Sequence, residues 1–142
     1  MEVLCYVLYS SLDDKKGQKE LKEWLAAFSE LYGVEVISLD GKGDIGGILR
    51  WFDPNARILI LGDDETVSKI MNAARSIRIL NEVMYYPVGK NRSFYLKVAG
   101  GDYDVAVDIS GYVDEEYLCR GRGESPGVGS QKDALFGGEE NV

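Results

Sequence analysis

Along most of the chain, short runs of apolar residues alternate with amphipathic stretches. Val3 to Tyr9 is apolar at nearly every position, the pattern of a strand covered on both faces. Ser10 to Gly17 reads as a polar connector. From Lys19 to Tyr32 the period changes to 3.6: Leu21, Trp24, Leu25, Phe28, Leu31 and Tyr32 share one face, while Lys19, Lys22, Glu23 and Glu30 share the other. Gly33 stands where such a helix would stop. Val34 to Leu39 is a second strand, followed by the turn-rich Asp40-Gly41-Lys42-Gly43-Asp44. Ile45 to Phe52 reads as a short helix ended by Asp53-Pro54-Asn55. Arg57 to Leu61 is a third strand. Asp64 to Ile77 is the next helix, with Val67, Ile70, Met71, Ala74 and Ile77 inward. Val83 to Tyr86 makes a fourth strand, closed by Pro87. Ser93 to Val98 and Tyr103 to Ile109, separated by Gly100-Gly101-Asp102, read as a hairpin or as two consecutive strands.

Strand and helix alternating in this order predict a three-layer α/β sandwich, Rossmann-like in the broad sense. Its sheet is mostly parallel, with an antiparallel edge supplied by the later strands. Residues 1–118 form the α/β domain in this reading. Residues 119–142, punctuated by Gly121, Gly123, Gly127, Gly129, Gly137 and Gly138, read as a flexible Gly-rich tail, in which Leu135-Phe136 is the one apolar point that would dock on a partner.

Composition narrows the chemistry. The 142 residues are 45% hydrophobic and 28% charged, as in a globular protein with a real core. A net charge of −8 argues against nucleic acid, whose binders present a basic stripe. No segment approaches the roughly 20 apolar residues needed to span a bilayer. Glu2 also stands where a signal peptide would be basic, so the reading is cytoplasmic. There is no histidine, which removes Ser-His-Asp triads, Cys-His pairs and histidine-ligated zinc. A general base would have to be a carboxylate, a lysine or a tyrosine. Of the two cysteines, Cys5 reads as a buried hydrophobe, and Cys119 stands beside Arg120 and Arg122, which would lower its pKa.

The default site is the junction where Arg57-Ile58-Leu59-Ile60-Leu61 ends at Gly62 and Asp63-Asp64-Glu65-Thr66 opens a helix. In open α/β sheets, ligands bind past the carboxyl ends of strands. A helix N-terminus attracts anions, but three carboxylates there would satisfy it themselves and repel a phosphate. Like charges ~4 Å apart interact by about 1 kcal/mol in water, and by about 4 kcal/mol at an effective dielectric near 20. Two readings stand for Asp63, Asp64 and Glu65. One is helix capping with dipole complementarity. The other is an oxygen-ligand site for Mg²⁺, joined by Asp13 and Asp14 after the first strand. Lys90 and Arg92, with Lys97 nearby, form the basic cluster that would hold a phosphate, or else a solvated loop. Tyr85-Tyr86 would stack on a base or pack in the core, with one of the pair turned inward.

On these residues the chain resembles the nucleotide-binding N-terminal domain shared by diacylglycerol kinases, sphingosine kinases and NAD kinases. That group carries G-G-D-G-T after a strand and, about twenty residues on, P-x-G-T-x-N-D. Gly62-Asp63-Asp64-Glu65-Thr66 and Pro87-Val88-Gly89-Lys90-Asn91-Arg92-Ser93 stand at the two places, and Met71-Asn72-Ala73-Ala74 follows as in the family's helix. The resemblance spans roughly residues 3 to 98. Gly62, Asp64, Thr66, Pro87 and Gly89 match. Asp63 and Glu65 replace the glycines that let backbone amides approach a phosphate, and the chain after Val98 is too short for the family's second, β-sandwich domain.

Resemblance and residues together give three expectations. The first is a degenerate, non-catalytic relative of these kinase domains, acting as an interaction or regulatory module with a protein partner or a second copy. The second is an Mg²⁺-dependent enzyme that binds ATP or another phosphate, with Asp64 as base, Lys90 or Arg92 on the phosphate, and Gly62, Thr66 and Gly89 lining the cofactor. The third is a receiver-like phospho-switch, since receiver domains also gather acids after strands one and three.

Overall fold

The computed structural model describes residues 2–112. In chain order these are β1 (Cys5–Tyr9), α1 (Lys15–Phe28), β2 (Val34–Ser38), α2 (Ile45–Arg50), β3 (Arg57–Gly62), α3 (Asp64–Ile77), β4 (Val83–Pro87), α4 (Ser93–Ala99), β5 (Val107–Asp108) and a single 3₁₀ turn, Ser110–Tyr112. The strands lie in the order β2-β1-β3-β4-β5. The first four are parallel, with Val7 opposite both Val36 and Leu59, and Ile60 opposite Tyr85. β5 runs antiparallel, with Met84 opposite Asp108 and Tyr85 opposite Val107. The α/β sandwich with a mainly parallel sheet and an antiparallel edge is therefore present.

Alternation along each strand divides the core in two. Val7 and Leu61 face α1, where Leu21 and Val88 complete a fully buried cluster with Leu25 and Phe28 against it. Leu8, Ile58, Ile60 and Tyr85 face the other way, onto Val67, Ile70, Met71 and Ala74 of α3 and Phe94 and Tyr95 of α4. Burying each such aliphatic side chain is worth about 1.5–3 kcal/mol. α3 occupies the range its periodicity predicts, with the expected residues inward.

α1 begins four residues earlier than the sequence pattern places it, and ends four residues earlier. Asp14 stands at its N-cap in extended conformation, so the expected connector forms the first helical turn. At the other end, the Ser29 hydroxyl donates to Leu25 O at 2.7 Å. Leu31 and Tyr32 then lie outside the helix and exposed. Trp24 sits at the margin of the buried face, against Phe28 and Tyr86.

The expected hairpin is not formed. Ser93 to Val98 belongs to helix α4, and only Val107–Asp108 of the Tyr103–Ile109 run is strand. Two apolar residues in succession, Phe94 and Tyr95, are buried, then Leu96 and Lys97 are exposed, then Val98 and Ala99 are half-buried. That is a helical face and not an alternating one. The Tyr95 hydroxyl donates to Tyr103 O at 2.9 Å and Val105 O at 2.6 Å, which holds the segment before β5 as a loop. The domain boundary at residue 118, the Gly-rich segment 119–142, Cys119 and Leu135-Phe136 lie outside the described residues. Among the described residues, no helix is long and apolar enough to cross a membrane.

Candidate functional site

The chain leaves β1 for β2 on one side and returns to β3 on the other, so the topological switch point lies between β1 and β3. Ligands of open α/β sheets bind at such a point, outside the carboxyl ends of the strands. Three loops meet there: β1 to α1, β3 to α3, and β4 to α4.

Asp63 is the N-cap of α3. Its Oδ1 accepts from the backbone N–H and the hydroxyl of Thr66, both at 3.2 Å. The Thr66 hydroxyl lies 2.9 Å from the hydroxyl of Ser10 at the end of β1, and both side chains are buried. Gly62 suits this packing, because a Cβ there would stand 3.0 Å from Thr66 Oγ1 and would crowd it. The β1 and β3 loops are thus tied by a buried hydroxyl pair.

Asp64 points the other way. Its Oδ1 accepts from the Tyr85 hydroxyl at 3.0 Å and its Oδ2 from the backbone N–H of Phe94 at 2.8 Å, so it caps the start of α4 from thirty residues away. Burial pushes the Asp64 carboxyl above the usual carboxylate range, against the pull of these two donors. The Tyr85 hydroxyl is pushed far upward, first by burial and then by the Asp64 charge. The backbone of the two loops is joined as well. Asp64 N–H donates to Asn91 O at 2.8 Å, and Val88 N–H donates to Gly62 O at 2.8 Å. Glu65 is exposed.

The basic residues separate. Arg92 folds back on its own loop, giving Nε and Nη2 to Gly89 O at 2.9 and 2.7 Å and Nη1 to Asp102 at 3.0 Å. Lys90 and Lys97 are exposed. Gly89, at φ 97°, adopts a conformation that side chains resist. Gly17, in the first turn of α1, presses against it: a Cβ on Gly17 would stand 2.8 Å from Gly89 Cα. The backbone of α1 therefore rests directly on the β4–α4 loop.

The acids do not converge. Asp13 is exposed and Asp14 is half-buried at the N-cap of α1. Among the described residues, no group of three or more Asp, Glu, Cys or His side chains is placed to hold a metal ion. Of the tyrosine pair, Tyr85 is wholly buried, while Tyr86 faces α1 and meets Trp24 at 5.2 Å. Cys5 is half-buried, its thiol pushed up by burial.

Sequence reasoning missed Ser10 and Gly17. Gly17 gave no signal because the sequence pattern places it in a connector, where glycine is ordinary, and only the earlier start of α1 puts it inside a helical turn. Compared with protein-family models, curated proteins and solved structures, the chain matches none.

Proposed function

We propose that this chain is a non-catalytic α/β interaction module, a degenerate relative of the lipid and NAD kinase N-terminal domain that works through a protein partner. One observation carries the reading: the groups that would receive a nucleotide phosphate are engaged within the protein. The N–H groups of Asp64 and Thr66 already have Asn91 O and Asp63 Oδ1 as acceptors. Arg92 is folded onto Gly89 and Asp102. Asp64, the base of the enzyme reading, is turned inward onto Tyr85 and Phe94. An anion at a helix N-terminus depends on unpaired amides, and here each of these two is paired.

The receiver-like alternative gains the order of the strands, which such switches share. It loses the position of a lysine on a fifth parallel strand, because β5 is antiparallel and ends at the opposite rim.

Calorimetric titration with ATP, with and without Mg²⁺, tests the proposal. It predicts no saturable heat up to millimolar nucleotide. Saturable, Mg²⁺-dependent binding would return the chain to the enzyme reading.

A further inference from the structure

The two edges of the sheet are built differently. At one edge β5 is two residues long, and so short a strand offers little ladder for another chain to join. At the other edge lies β2, Val34-Glu35-Val36-Ile37-Ser38, which pairs with β1 without a bulge. It carries no proline and no lysine, residues that commonly guard a free edge. Val34, Val36 and Ile37 pack on the core yet stay half-buried, because no strand lies beyond them among the described residues.

The ladder sets where each backbone group of β2 points. Cys5 N–H donates to Gly33 O at 3.1 Å, and Leu39 N–H donates to Tyr9 O at 2.8 Å. Successive residues of a strand turn their N–H and C=O to opposite sides, so Glu35 and Ile37 also face β1 while Val34, Val36 and Ser38 face outward. Two of the outward groups are engaged within the chain. Val34 N–H donates to Leu31 O at 3.4 Å, and Ser38 O accepts from Lys42 Nζ at 3.3 Å. Val34 O, Ser38 N–H and both backbone groups of Val36 make no bond among the described residues.

These free groups complement themselves about a two-fold axis through Val36. With a second copy of β2 laid antiparallel, Val36 N–H of each copy reaches Val36 O of the other, and Ser38 N–H of each reaches Val34 O of the other. An axis through Val34 or Ser38 would set Val36 against a turn instead of a strand. The side chains agree with the Val36 register. Glu35 stands opposite Ile37 of the second copy and not opposite its own counterpart, where like charges would repel. Past the strand ends, the turn with Glu30, Leu31 and Tyr32 comes beside the turn with Asp40 and Lys42 of the other copy, so Glu30 meets a lysine. Leu31 and Tyr32, 53% and 75% exposed, bring apolar surface to the same place.

We propose that β2 is a self-association edge, through which two copies of this chain join their sheets antiparallel into one. The pairing goes beyond the function proposed above, since it does not depend on what the end of β3 binds.

Sedimentation equilibrium of the full chain tests it, over about 1–100 µM because association is concentration-dependent. Twice the 15.7 kDa chain mass is expected at the upper end. A single-chain mass throughout would overturn the proposal. Cross-linking tests the register, with Glu35→Cys and Ile37→Cys prepared separately in a Cys119→Ser background. These two positions are a non-hydrogen-bonded pair across the axis, with Cα atoms about 4.5 Å apart and within disulfide reach. The same position in two copies lies on a diagonal, about 7–8 Å apart. Under mild oxidation, an equimolar mixture is expected to give linked dimer about tenfold faster or more than either variant alone. Equal rates in the mixture and in the separate variants would overturn the proposal even where the mass is doubled.

Discussion

The hydroxyl of Tyr85 donates to the carboxylate of Asp64 at 3.0 Å, joining the buried face of β4 to the first turn of α3. The same carboxylate accepts the first backbone bond of α4, from Phe94. An acid read as a catalytic base or a metal ligand is here a connector between three elements. Asp64→Ala takes the acceptor from two part-buried bonds, and each such loss costs about 1–3 kcal/mol. We expect urea midpoints to place Asp64→Ala about 2–4 kcal/mol below the parent, and Tyr85→Phe, which removes one donor cleanly, about 1 kcal/mol below it.

The raised pKa of Asp64 gives stability a definite pH slope. The folded state holds the Asp64 proton to higher pH than the unfolded chain does. Its contribution is therefore complete below the ordinary value of 3.8 and declines as pH rises through the raised value. Asp40 and Asp108 act in the opposite sense, their carboxyls being lowered mainly by bonds from Ser11 and Ser110. Their contribution is present above 3.8 and is lost as pH falls through the lowered values. Comparing the parent with Asp64→Asn by chemical denaturation isolates the first effect. The parent is expected to lose stability relative to the variant as pH rises above about 4. A flat difference would contradict the raised value.

Much of the fold was legible because burial imposes periodicity. α3 shows this best, since Val67, Ile70, Met71 and Ala74 are all inward and its range matches the pattern. β3 was equally readable as an apolar run ending at Gly62. α4 was not readable, because its seven residues are too few for a 3.6 period to stand out from alternation, and its cap comes from Asp64 in a distant part of the chain. At the candidate site, the place and the capping role of Asp63 were legible from the run of acids before an apolar helix. What the Asp64 N–H and the Thr66 hydroxyl bind was not, since Asn91 O and Ser10 reach them only through tertiary contact.

The contact between α1 and the β4–α4 loop makes Gly17 sensitive. Gly17→Ala brings a Cβ against backbone that cannot yield cheaply. The crowding costs about 1–3 kcal/mol, which outweighs the helix preference for alanine of about 1 kcal/mol. Gly43→Ala, where a Cβ meets nothing within 4 Å, is the matched control. Thermal unfolding should separate the two, with Gly43→Ala staying within about 0.5 kcal/mol of the parent.

Arg92 and Lys90 should part company in the same way. Arg92→Ala removes charge-assisted bonds to Gly89 O, each worth about 1.5–3 kcal/mol at most for a partly exposed group, and is expected to destabilise measurably. Lys90→Ala, on the exposed tip of that loop, should stay within about 0.5 kcal/mol. Equal effects on stability would contradict the folded-back geometry of Arg92.

At the carboxyl end of the sheet the N–H groups of Asp64, Thr66 and Val88 are each paired with an acceptor of the protein itself. The most direct test follows the backbone amide signals of Asp64, Thr66 and Val88 by NMR while ATP and Mg²⁺ are added to millimolar levels. The account predicts that these three signals do not move, because their hydrogens already point at Asn91, Asp63 and Gly62. Saturable shifts confined to these amides and to Gly89 would contradict it and would place a working nucleotide site at the end of β3.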